Sequence, residues 1–132
     1  MTAATVSAVR TSGGERVLSP SDIAVLARPL ARRYGITELY LFGSMASGEA
    51  GPDSDVDFIY GTTHDDMRVR RVSNFRNDLR DAFGRDIDLV DVDYITQPEK
   101  KPYDEMIRSL FVRNVMSKPI LRILPIDSEE QA

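Results

Sequence analysis

The chain has 132 residues, a formal net charge of -4, no cysteine and a single histidine, with a pI near 5.0. That length suits one domain with a sizeable core, and the acidic balance argues against a dedicated nucleic-acid binder, which meets phosphates with a net basic face. Without cysteine there is neither a disulfide framework nor a thiolate zinc site, and one histidine excludes a histidine-rich one, which leaves oxygen-ligand chemistry with a hard cation.

Residues 1–16, rich in Thr, Ser, Ala and Gly with no sustained period, read as a mobile leader, part of which is free to add an edge strand. The folded domain is expected over residues 17–126. Ser19-Pro20-Ser21-Asp22 is a helix start, with Ser19 as cap, Pro20 first in the helix and Asp22 three residues after the cap. Ile23, Leu26, Leu30 and Tyr34 follow at helical spacing, Pro29 should kink the middle, and Gly35 is the stop. Glu38–Phe42 reads as a short strand, apolar on both faces. The turn Gly43–Gly48 follows and opens a short helical segment at Ser44. A second strand, Asp55–Tyr60, then puts Val56, Phe58 and Tyr60 on one face and Asp55, Asp57 and Ile59 on the other.

Thr62-Thr63-His64-Asp65 reads as the cap of a long second helix with Val72, Phe75, Leu79 and Phe83 inward and Gly84 at its end. Its other side carries Arg68, Arg70, Arg71, Arg76 and Arg80, a solvated face laced with ion pairs in the simplest reading. Asp86–Val92 is a third strand, with Ile87 and Leu89 facing one way and Asp86, Asp88 and Val90 the other. After Pro98 and Pro102 comes a third helix, Asp104–Val115, expected to turn Met106, Ile107, Leu110 and Phe111 inward. Residues 119–126 form an extended apolar tail suited to an edge strand or a docking site, and 127–132 a frayed end. No apolar run is long enough to span a bilayer and no secretory leader is evident, so a soluble, cytoplasmic protein is expected.

The chemistry concentrates in Leu41–Tyr60. An apolar run ends in Gly43-Ser44, a small-residue turn that lets backbone N–H groups approach an anion. Asp55 and Asp57, two apart on a strand, point the same way. Beside a third carboxylate, Asp88, they would repel one another unless a divalent cation lay between them, the arrangement that holds Mg²⁺ when it also ligates phosphates. Plainer roles exist for each: Asp55 and Asp57 as a solvated, capping pair at a strand entrance, Asp88 as one of several acidic residues along its strand, with Asp86 and Asp91.

Gly43-Ser44, the later Ser54-Asp55-Val56-Asp57 and the downstream Ile87-Asp88-Leu89-Val90 together resemble the DNA polymerase β nucleotidyltransferase superfamily. Within it, the small size and Leu41-Phe42-Gly43-Ser44 are similar to the minimal nucleotidyltransferases, the MNT antitoxins that pair with HEPN toxins. The resemblance implies an α/β fold, a small mixed sheet flanked by about three helices. It also implies ATP as donor, Mg²⁺ as cofactor with two ions, and transfer of AMP to a tyrosine of a HEPN ribonuclease partner. By position, Gly43 and Ser44 match the turn that holds the triphosphate, Asp55 and Asp57 the metal ligands, and Asp88 the third carboxylate, which shares the catalytic metal and helps deprotonate the attacking hydroxyl. Ser47 stands where related members often carry arginine, which removes a positive charge near the phosphates and weakens the expected activity; Arg68 and Arg71 are the candidates to reach in. The alternatives are a non-catalytic antitoxin that neutralises its partner by covering it, and a small-molecule adenylyltransferase of the antibiotic-modifying type.

Overall fold

A computed structural model describes residues 18–126; the expected leader over residues 1–16 and the expected frayed end over 127–132 lie outside the described residues. Helix α1 (Pro20–Arg33) starts at the predicted capping box: the Ser19 hydroxyl accepts the Asp22 N–H at 3.0 Å, and the Asp22 carboxylate accepts the Ser19 N–H at 3.5 Å. The helix runs on through Pro29, which lies exposed, while Ile23, Leu26, Ala27 and Ala31 on the other side are buried. Gly35, at φ 72, ends it and leads into β1 (Ile36–Phe42).

A four-residue helix α2 (Ser44–Ser47) follows β1, then β2 (Val56–Thr62), the long helix α3 (Arg68–Phe83) and β3 (Ile87–Asp91). The short α4 (Val92–Thr96), α5 (Pro102–Met116) and β4 (Leu121–Leu124) complete the described residues. The sheet has the order β3-β2-β1-β4 and is mixed: β1 is antiparallel to both β2 and β4, and β2 is parallel to β3 through the α3 crossover. The apolar tail is thus an edge strand. Alternation along β2 divides the interior as expected. Val56, Phe58 and Tyr60 join Leu39, Leu41 and Ile87 beneath α1 and α3, while Ile59 joins Phe42 and Val115 on the opposite face. Among the described residues no helix is long and apolar enough to cross a membrane.

Three expectations are corrected. Helix α3 starts at Arg68, not at Thr62–Asp65, because Gly61 and Thr62 are still paired with Glu38 and Ile36 of β1 and so held extended. Asp65 instead accepts the Met67 N–H at 3.0 Å, closing a turn ahead of the helix. The arginines of α3 are also not all a solvated face. Arg70 and Arg80 are exposed, but Arg71 donates to the Tyr34 carbonyl at 2.7 Å and the Thr62 hydroxyl at 2.8 Å, and Arg76 donates to the Ile87 carbonyl at 2.9 Å. These two side chains tie the helix to the carbonyl that ends α1 and to that of Ile87 at the start of β3.

The third correction concerns α5. Met106, Ile107 and Leu110 point outward, at 51, 43 and 53 % exposure, and of the four residues expected inward only Phe111 packs against a core cluster. The inner side of the first turns is polar: Arg108 is buried, with its Nη1 donating to the carbonyls of Tyr94 and Ile95 at 3.2 and 2.8 Å and its Nε to Glu105 at 2.8 Å. Helix α4, capped by Asp91 accepting the Asp93 N–H at 2.8 Å, presents carbonyls there and not an apolar wall, so an arginine faces it. Phe58→Ala, at a fully buried position, should lower the unfolding free energy by about 3–5 kcal/mol in urea titrations, whereas Leu110→Ala should change it by less than about 0.5 kcal/mol.

Candidate active site

Three adjacent strands bring the site together in one row of the sheet. Phe42 at the end of β1 is in register with Asp57 of β2, and Asp57 is in register with Asp88 of β3. The chain leaves β1 through Gly43, at φ 76 and ψ -157, a conformation that is essentially glycine's alone. A Cβ at this position would lie 2.4 Å from Oδ2 of Asp57. The glycine is thus required twice, for the turn and for the approach of that carboxylate. Gly43 then accepts the N–H groups of Ala46 and Ser47, each at 3.1 Å, which closes α2.

Asp57 is half-buried while Asp55 and Asp88 are exposed. Burial raises the Asp57 carboxyl to about 6; a hydrogen bond with the Asp88 carboxyl, then the charges of Asp88 and Asp55, push the same way. A neighbouring carboxyl in hydrogen-bond contact favours the protonated form of Asp57, because its charge opposes ionisation there. The predicted carboxylates are therefore gathered at one end of β2 and β3, Asp57 and Asp88 in contact and Asp55 acting on Asp57 through its charge. As the side chains stand, no three acidic or histidine side chains among the described residues converge on one point.

Each carboxylate borders a different concavity. Asp57 lies in a small cavity of about 160 Å³ with Phe42, Gly43 and Ser44. Phe111, Asn114 and Val115 of α5 and Lys118 form its other side. Asp55 opens on a larger hollow, about 660 Å³, a polar cleft beside Arg80, Asp81 and Arg85. Asp88 borders a third, about 420 Å³, with Tyr60, Arg68 and Arg76. The small cavity is where the Gly43-Ser44 turn and the half-buried Asp57 carboxylate meet. It falls below the roughly 300 Å³ of an ordinary small-ligand pocket, so it suits the phosphate end of a nucleotide with the rest lying outside.

Neither arginine expected to reach in lines this cavity. Arg71 is spent on Tyr34, Thr62 and Asp65, and Arg68 pairs with Asp91. Ser47 directs its hydroxyl to the Ser44 carbonyl and to Glu49 at 3.3 and 3.0 Å. His64 lies 3.1 Å from Asp93 on the surface, away from this cavity. Asn114 and Lys118 escaped the sequence reading, since their only signal is the position of α5, which no local pattern conveys.

The family model for polymerase beta nucleotidyltransferases matches residues 24–103, more than half of the chain, with Asp55, Asp57 and Asp88 inside it. This chain belongs to the polymerase beta nucleotidyltransferase family. No curated protein matches its sequence. Among solved structures, a toxin-antitoxin with AMP-PNP is similar at 19 % identity and a TM-score of 0.50, over 79 % of this chain and 74 % of that one. A tri-AMPylated Shewanella oneidensis HEPN toxin in complex with its MNT antitoxin is similar at 17 % identity and a TM-score of 0.48, over 83 % and 75 % of the two chains. The MntA-HepT toxin-antitoxin gives 17 % identity and 0.47 over the same shares. The likeness to the first is one of fold.

The donor set of this nucleotidyltransferase fits Mg²⁺: hard oxygens only, with two carboxyls held in contact beside a turn, the number that Mg²⁺ takes from protein when phosphates and water complete its shell. Without a cation Asp57 is a liability. Its folded-state value near 6 exceeds the ordinary 3.8, so its contribution to stability is fully present below about pH 4 and lost as pH rises through about 6. That shift is about 3 kcal/mol at face value, and solvent screening of a half-exposed group reduces it to about 1 kcal/mol. Asp57→Asn should therefore be more stable than the parent by about 1 kcal/mol at pH 8 and lose the advantage by pH 4, in urea titrations without divalent ions. Gly43→Ala should cost about 2 kcal/mol, since the methyl is strained in φ and displaces the Asp57 carboxylate.

Proposed function

We propose that this nucleotidyltransferase moves AMP from ATP to a hydroxyl of a protein partner, as the antitoxin of a HEPN-type ribonuclease toxin in the cytoplasm. The observation that carries the reading is the Asp57–Asp88 pair in register beside the Gly43-Ser44 turn, in a chain of this family. The neighbours described as an antitoxin bound to a tri-AMPylated HEPN toxin, and as a toxin-antitoxin with AMP-PNP, suggest the direction for donor and acceptor.

The acceptor's hydroxyl oxygen attacks the α-phosphorus, a new P–O bond forms, and the bond from that phosphorus to the bridging oxygen of the β-phosphate breaks, releasing pyrophosphate. Asp88, exposed and in contact with Asp57, takes the hydroxyl proton. Gly43 and Ser44 hold the β- and γ-phosphates against the end of β1. Mg²⁺, as two ions on Asp57, Asp88 and Asp55 at the strand entrance, would neutralise charge on the reacting phosphate and orient the nucleophile.

A protein acceptor is favoured by α5. One side of this helix lines the cavity with Phe111, Asn114 and Val115, while Tyr103, Met106, Ile107 and Leu110 form an exposed apolar stripe at three- and four-residue steps. Such a stripe on a polar surface is where a macromolecule docks. The same stripe would serve an antitoxin that works by covering its toxin alone, so the two readings part at the chemistry. Incubated with α-labelled ATP, Mg²⁺ and the HEPN-type product of a neighbouring gene, the protein should label that product, and Asp57→Asn should lower the rate by at least about 100-fold. A tight complex without label assigns neutralisation by binding; label on an aminoglycoside-type hydroxyl instead of the protein assigns the small-molecule reaction.

A further inference from the structure

The cavity beside the turn has opposite charges on its walls. Asp57 supplies an anionic side chain on the sheet side, and Lys118, two residues beyond the end of α5, is the one cationic side chain among the described residues that line it. Lys118 Nζ is held at 2.9 Å from Glu49 Oε1, across 69 positions of sequence. Glu49 also accepts from the Ser47 hydroxyl at the same oxygen and comes two residues after α2, so this ion pair joins the segment beyond α5 to the one that follows the Gly43-Ser44 turn.

We infer that Lys118 is a phosphate-binding residue of the nucleotide site and that Glu49 is the resident anion which the β- or γ-phosphate displaces. The role rests on the nucleotidyl-transfer reading of the same cavity and adds to it a residue and an exchange of partners. Three features make the exchange easy. The pair is open to solvent, with side-chain exposures of 51 and 61 %, so water and salt screen it and it holds weakly. Lysine's four-carbon stem lets the ammonium move without disturbing the helix. A polyphosphate offers more charge than one carboxylate and sits between Lys118 and a cation on Asp57, so each wall of the cavity meets the charge it attracts.

Titration calorimetry of the full chain with Mg²⁺-ATP, with AMP and with inorganic tripolyphosphate tests this. Lys118→Ala should weaken ATP and tripolyphosphate roughly tenfold and leave AMP unchanged, Lys118→Arg should recover most of the loss, and Glu49→Gln should tighten ATP about threefold, all with unaltered thermal unfolding. Parental affinity for ATP in Lys118→Ala overturns the role of Lys118 and leaves the nucleotide site standing, as does an equal loss for AMP and ATP. A parent protein that binds neither ATP nor tripolyphosphate overturns the nucleotide reading and this role with it.

Discussion

The packing of one carboxylate, Asp57, against a glycine that cannot be anything else sets the terms for the rest of the molecule. Gly43 gives up a side chain so that Oδ2 of Asp57 can occupy its place, and β2 and β3 run parallel in a register that puts Asp88 against the same group. A carboxyl raised to about 6 by burial and by its neighbours opposes folding at neutral pH, so a domain selected for stability alone gains nothing by keeping it at a strand end. The sheet, clamped by α1 and α3 on one face and by the end of α5 on the other, holds these groups in position against their repulsion.

How the site is distributed along the chain explains what could be seen without coordinates. Asp57 and Asp88 were legible as neighbours because strand alternation is strictly local, which turns each away from Val56, Phe58 and Ile87, whereas Asp55 lies just ahead of β2 and opens on a different cleft. The capping box at Ser19 and the glycine stops at Gly35 and Gly84 were legible for the same reason, since each is complete within a few residues. Failures came where a distant segment decided the outcome. Thr62 looked like a cap until its pairing with Ile36 was known, and the apolar stripe of α5 looked like core until the helix turned out to face α4 through Arg108 and Phe111.

Lys118 is the extreme case. Nothing near Ser117 or Pro119 marks it, and its relation to Ser44 and Asp57 exists only because β4 returns along β1 and brings the end of α5 over the turn. The arginine expectation failed in a complementary way. Arg68 and Arg71 are close in sequence to β2 but are committed to Asp91 and to the strand-end carbonyls, so that positive charge at the cavity comes from the far end of the chain. A reading by local pattern finds the carboxylates near the turn and misses the cation that lines the same cavity.

Family membership and the geometry meet in one claim, that the Asp57–Asp88 pair exists to hold a divalent cation beside a nucleotide's phosphates. Crystals grown with Mn²⁺ and a non-hydrolysable ATP analogue would test it by anomalous scattering. The account predicts a peak in coordination contact with Asp57, Asp88 and the α-phosphate, with the triphosphate against Gly43 and Ser44. A bound nucleotide with no metal at this pair, or a metal seated in the larger cleft by Asp81 and Asp86, would contradict it.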